Sequence, residues 1–234
     1  MWYNDLMDKN FKTRLIVGFS MFAVALLGLY TFDGVPFKII FGLFTLMSAI
    51  ELISFFQKKH KYSDVMLAII EAGFLLYGVI FISQIDVFHF WYIILGVPGY
   101  DIFAYLLGKA FGGKVFKESR PFPKISKNKT WEGTILGLLM SFLMVLILML
   151  SLGSISSDWV YLLAGPFALM GDLFESYLKR RFDIKDSNEI LIKNKFFSYI
   201  ELCVGGSEGH GGFLDRIDST AFASTMLLII MFFL

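Results

Sequence analysis

Asp172, Glu175 and Lys179 recur at spacings of three and four, which puts all three on one face of a helix. Ser176, Arg180, Lys185 and Asp186 lie beside them or follow within two turns. Further on, Gly209-His210-Gly211-Gly212-Phe213-Leu214-Asp215-Arg216-Ile217-Asp218 joins a glycine-rich backbone to a histidine, an arginine and two acids three residues apart. Carboxylates, cations and close-approach glycines in one place suit a hard cation and phosphate oxygens. Magnesium takes one or two carboxylates and fills its shell with water and substrate phosphate, and amides ahead of a helix N-terminus favour anions. Plainer roles account for part of the set: an intrahelical pair for Glu175 with Lys179, and helix capping for Asp218. Neither explains Asp172, which lies deeper in its apolar run, where a central charge costs roughly 2.5 to 3.5 kcal/mol on insertion scales.

A second constellation runs from Asp101 and Tyr105 through Gly108 and Gly112 to Lys124-Ile125-Ser126-Lys127-Asn128-Lys129-Thr130-Trp131-Glu132-Gly133. Lysines beside a membrane commonly meet anionic headgroups. Here the hydroxyls of Ser126 and Thr130 flank Lys129, a mixture better matched to the phosphate of a nucleotide or phospholipid. Asp101 is an acid within an apolar run and is a functional candidate on that ground. Glu51 and Glu71 read as mid-span acids with structural hydrogen bonds between helices.

The elements that must hold these residues are membrane helices. Of 234 residues, 56% are hydrophobic and 18% charged, and the mean hydropathy is +0.67, which excludes an ordinary soluble domain. Apolar runs near 14–32, 35–56, 65–85, 87–112, 132–152, 159–181 and 218–234 predict an all-α integral membrane protein of about seven spans. With the N-terminus cytoplasmic and the C-terminus outside, every one of the 21 Lys and Arg except Lys38 falls on the inner side, while Asp33, Asp86 and Asp158 fall outside. The division expected is 1–90 for the first three spans and 91–234 for a catalytic region with cytoplasmic loops 113–131 and 182–217. An interfacial amphipathic helix over 190–204 competes with a plain loop. The lone Cys203 excludes an internal disulfide and a Cys-x-x-Cys site.

At Ser176, Lys179, Arg180, Lys185, Asp186, Ser187, His210, Gly211, Gly212, Asp215, Arg216, Asp218 and Ser219 the chain resembles the CDP-diglyceride synthetase, or phosphatidate cytidylyltransferase, family. That family's closing signature runs Ser, Lys-Arg, Lys-Asp, then His-Gly-Gly-x-x-Asp-Arg-x-Asp. Lys129 to Gly133, with Asp101 and Tyr105 upstream, resemble its other cytoplasmic motif. The chain departs from the pattern by roughly sixteen extra residues between Lys-Asp and His-Gly-Gly, which read as a modified lid.

The resemblance implies CTP plus phosphatidate, or a related phospholipid, giving CDP-diacylglycerol and pyrophosphate at the cytoplasmic face of a bacterial-type inner membrane. It implies Mg²⁺ on Asp172 and Asp215, with a second cation left open. Lys179, Arg180, Lys185, Asp186, His210, Arg216 and Asp218 are then the catalytic set. Asp101, Ser126, Lys129, Thr130, Ser176, Gly211 and Gly212 would bind substrate. No nucleic-acid partner is expected, and a homodimer is left open. The competing readings are a CTP-dependent lipid kinase of the polyprenol or phytol type and, with less support, a transporter or non-catalytic scaffold.

Overall fold

The computed structural model describes residues 35–58, 60–117, 120–189 and 212–234. The described residues form helices and no strand, as the hydropathy pattern predicts. Six helices are long: α1 Val35–Ser54, α2 Tyr62–Gln84, α3 Val87–Phe111, α4 Trp131–Leu152, α5 Ala164–Arg181 and α6 Leu214–Phe233. All but α5 are long and apolar enough to cross a membrane. These five answer to five of the seven expected spans. The span expected at 14–32 and the interfacial helix at 190–204 lie outside the described residues. The run expected over 159–181 is a 3-10 turn, Trp159–Leu163, leading into α5. The second half of α5 carries Asp172, Glu175, Lys179, Arg180 and Arg181, and that charge separates it from the five.

Local chemistry sets where the helices start and stop. Asp86 accepts the amides of Phe88 at 2.9 Å and His89 at 3.0 Å, and Thr130 accepts that of Gly133 at 3.0 Å. Each satisfies donors that have no partner inside the helix. Asp64 accepts the Lys61 amide at 2.8 Å ahead of α2. Gly153 closes α4 at φ +69°, in the left-handed region where glycine carries no Cβ penalty.

The most extensive helix pair is α3 with α4, followed by α5 on α6 and α6 on α2. The Ser141 hydroxyl of α4 donates to the Gly96 carbonyl of α3 at 2.6 Å. A Cβ at Gly171 would stand 2.8 Å from the Cβ of Phe222 and 2.9 Å from the Cα of Ser219. The missing side chain therefore lets the acid-bearing turn of α5 meet the start of α6, as small residues do between membrane helices. Helices on both sides of residue 90 share this packing, because α1 and α2 also lie against α6.

The two ends of the bundle differ in chemistry. At one end Lys38 donates to the carbonyls of Ser83 at 3.2 Å and Ile85 at 2.8 Å. There too the His89 ring lies 2.8 Å from Asp86 and 3.4 Å from Asp158. At the other end the last turns of α1, α3 and α5 meet the first turns of α2, α4 and α6. Arg181 ties α5 to α2 there, donating to Asp64 at 2.7 Å and to Ser63 at 2.9 Å.

Slight burial raises the pKa of Asp86, but the His89 amide and ring and the Phe88 amide outweigh it and hold the carboxyl below its ordinary 3.8. A depressed carboxyl stabilises the fold above its unfolded pKa, and the contribution disappears as pH falls through the folded value. Asp86→Ala is expected to lower stability at pH 7 by about 1 kcal/mol and to cost less at an acidic pH well below the carboxyl's ordinary 3.8. Thermal unfolding in detergent at the two pH values checks this; an equal loss at both would show that the ionised cap is not the cause.

Candidate active site

A cavity of about 440 Å³ opens between α3, the segment leading into α4, and α5. Its lining includes Asp101, Tyr105, Ser126, Lys129, Thr130 and Asp172, so side chains 71 positions apart in sequence face one space. The Lys129 ammonium pairs with the Asp172 carboxylate and lies 3.5 Å from the Tyr100 hydroxyl and 5.4 Å from that ring's centre. Burial works against the charge on Lys129, but Asp172, then Tyr100 and Asp101, outweigh it and push the ammonium up to about 12. Lys129 is therefore a cation at any physiological pH. Glu132, in the first turn of α4, accepts the amides of Val115 and Phe116, each at 3.0 Å, and pins the chain beside the cavity.

Behind the cavity wall lies a second network. Lys179 bridges two acids: Glu175 at 2.8 Å, one turn earlier on α5, and Asp215 in the first turn of α6. The other oxygen of Asp215 accepts the Gly212 amide at 2.7 Å, the Ser187 hydroxyl at 2.8 Å and the Ser187 amide at 3.2 Å. The Ser187 hydroxyl also lies 2.8 Å from Glu51, which accepts the amides of Phe213 and Leu214, each at 2.9 Å. Glu175 has one buried oxygen with no hydrogen-bond partner, so its charge depends on Lys179.

The residues singled out from sequence thus fall into two groups. Asp101, Ser126, Lys129, Thr130 and Asp172 share the cavity, and Ser176 lies 3.5 Å from Asp172. Lys179, Gly212 and Asp215 share the network, while Asp218 is buried on α6 within electrostatic reach of Asp172 and Asp101. Asp172 and Asp215, expected as a metal pair, engage different lysines. Arg180 is exposed and donates to the Ile184 carbonyl at 3.3 Å. Lys185 is exposed in the turn after α5, the Asp186 carbonyl accepts the Glu189 amide at 3.0 Å, and Arg216 is half-buried in α6. His210 and Gly211 lie outside the described residues.

Three participants carried no functional signal in the sequence reading. Tyr100 and Arg120 line the cavity. Glu51 reads as mid-span, but α1 ends at Ser54, which puts Glu51 in its last turn at the site end. An acid one turn before the end of an apolar helix is the signal that finds it.

The cytidylyltransferase family matches residues 65–192. The phosphatidate cytidylyltransferase of Aquifex aeolicus is 34% identical over 215 residues, covering 89% of this chain and 70% of that protein. That of Helicobacter pylori is 36% identical over 133 residues, covering 55% of this chain and 43% of its own length. That of Bacillus subtilis is 31% identical over 175 residues, covering 71% and 57%. The chain spans less than half the length of the Helicobacter relative it matches.

Replacing Lys179 with Met leaves Glu175 and Asp215 facing each other without a cation. The expected loss of stability is about 3 to 5 kcal/mol, the cost of stripping one partner from a buried ion pair. Adding Glu175→Gln should recover a large part of it. Unfolding of both variants in detergent measures this, and wild-type stability in Lys179→Met would show that the bridge does not hold α5 to α6.

Proposed function

The chain belongs to the cytidylyltransferase family, and from that premise we propose that it is a membrane-embedded nucleotidyltransferase converting CTP and phosphatidate to CDP-diacylglycerol and pyrophosphate. The observation that carries this reading is the cavity, in which Lys129, Ser126 and Thr130 face Asp101 and Asp172 at the end of an apolar bundle. Its volume of about 440 Å³ falls in the ordinary range for small-molecule sites. A lipid whose acyl chains stay in the bilayer can bring its phosphate to that depth.

In the proposed reaction a phosphatidate oxygen attacks the α-phosphorus of CTP. One new P–O bond forms, the bond to the β-phosphate breaks, and pyrophosphate leaves with its electron pair. No protein nucleophile is required; the work is positioning and charge neutralisation. Lys129, with Ser126 and Thr130, would grip one phosphate. Lys179, Arg180, Lys185 and Arg216 would steady oxygens of the triphosphate or the lipid. His210, Gly211 and Gly212 would close on the same groups, and Asp186 and Asp218 would orient the cations.

Mg²⁺, with a second cation alongside, belongs to this proposal. Among the described residues no three His, Cys, Asp or Glu side chains converge as a metal cage. Magnesium needs only one or two carboxylates, and Asp172 suits it: 31% of its side chain is exposed and it lines the cavity. Asp215 fits less readily, since Lys179 takes one oxygen and Ser187 with Gly212 takes the other. When bound, the ion would neutralise charge on the triphosphate and the departing pyrophosphate.

We further propose seven spans with the site facing the cytoplasm. The support is charge placement: Lys38 stands at one end with Asp86 and Asp158, and the remaining lysines and arginines of the described residues cluster at the other.

Purified protein given labelled CTP, Mg²⁺ and phosphatidate is expected to form a CDP-lipid and release pyrophosphate. Release of CDP with a newly phosphorylated lipid would replace this reading with the kinase. Chelation with EDTA should stop turnover and added Mg²⁺ restore it; full turnover under EDTA would remove the metal from the scheme. Asp215→Asn should abolish transfer in a protein that remains folded, and unchanged turnover would remove Asp215 from the site.

A further inference from the structure

We propose that Glu51, on α1 and outside the family-matched stretch 65–192, is a positioning residue that sets the Asp215 carboxylate through Ser187; its consequence for turnover rests on the transfer reaction above.

Glu51 is 1% exposed and receives three donors. Two are the Phe213 and Leu214 amides at 2.9 Å, which lie where α6 begins and have no partner within that helix. Acceptor oxygens at the positive end of the helix dipole favour the same arrangement. The third is the Ser187 hydroxyl at 2.8 Å, which is also 2.8 Å from Asp215. A serine hydroxyl has one hydrogen to donate. Two carboxylates therefore share one donor, and the hold of Glu51 on it decides whether that hydroxyl adds to the Gly212 and Ser187 amides already on Asp215.

Gly212 shows how closely this junction is fitted. A Cβ at that position would fall 2.5 Å from both Glu51 oxygens and 2.3 Å from the Ser187 hydroxyl. The backbone passes there because it has no side chain, and its amide then donates to Asp215 at 2.7 Å. One junction thus fixes both the start of α6 and the carboxylate of its second residue, Asp215. Asp215 in turn holds Lys179. Glu51 reaches Lys179 through this chain of contacts without touching it.

The test uses wild type, Glu51→Gln, Ser187→Ala and the double variant, each full-length in detergent, with unfolding temperature measured alongside turnover. Glu51→Gln keeps the volume and turns one of the two acceptor oxygens into an amide donor. It is expected to lower kcat for CDP-lipid formation about 10- to 100-fold, the scale of a misplaced reacting group, while KM for CTP changes less than about threefold. Ser187→Ala should give a smaller loss. The double variant should be no slower than Glu51→Gln alone, because both changes break one bridge. Wild-type kcat in Glu51→Gln, losses that multiply, or a kcat loss that vanishes when rates are expressed per folded molecule would each overturn the inference. If wild type itself makes no CDP-lipid, the proposed reaction fails instead. The bridge is then read from unfolding temperatures of the same four proteins: non-additive losses support it and additive losses overturn it.

Discussion

An ammonium or carboxylate taken out of water costs several kcal/mol unless a partner of opposite sign and good geometry receives it. Lys179 meets that condition twice over, between Glu175 on its own helix and Asp215 on α6. The rest of the site end is arranged around this bridge. Because Asp215 lies in the first turn of α6 and Glu175 in the middle of α5, the bridge fixes one helix against the other. Gly171 supplies the close backbone approach that the bridge requires. A larger residue there would force the helices apart and part Asp215 from Lys179, leaving only the Glu175 pair within α5.

The same rule explains why the cations of this end are held ready without being fully committed. Lys129 pairs with Asp172 at the cavity wall, where 17% and 31% of the two side chains are exposed, whereas Lys179 and Glu175 are almost wholly enclosed. At the cavity wall water reaches both members of the pair and can compete for each. An enclosed pair is stiff. The cavity wall therefore holds one lysine, Lys129, paired where solvent reaches it, and behind that wall a second lysine, Lys179, holds α5 to α6. The opposite end has no such division: Lys38 is bound to backbone carbonyls, and Asp86 with Asp158 brackets His89.

How much of this the sequence disclosed depends on the range of each interaction. Five apolar helices were legible because burial in hydrocarbon is written in every residue of a span. The face shared by Asp172, Glu175 and Lys179 was legible because helical spacing fixes it, and the Glu175–Lys179 contact follows from that spacing. What spacing cannot carry is choice of partner across helices. Asp172 and Asp215 look equivalent in sequence, yet Lys129 takes one and Lys179 the other. The charge that marked residues 172–181 as a site is also what makes α5 the least membrane-like of the six long helices.

Glu51 marks the limit of motif reading for a physical reason. Motifs collect residues near one another in sequence, whereas the first amides of a helix need an acceptor from wherever the fold supplies one. The segment before α6 offers no side chain among the described residues to cap Phe213 and Leu214, and Gly212 has none to give. The acceptor for both amides comes from α1, which packs against α6. Once that acid is in place, a serine from the turn after α5 can bridge it to Asp215. A helix outside the family-matched stretch 65–192 thereby becomes part of the geometry at the start of α6, because an unpaired helix start is costly inside the bundle.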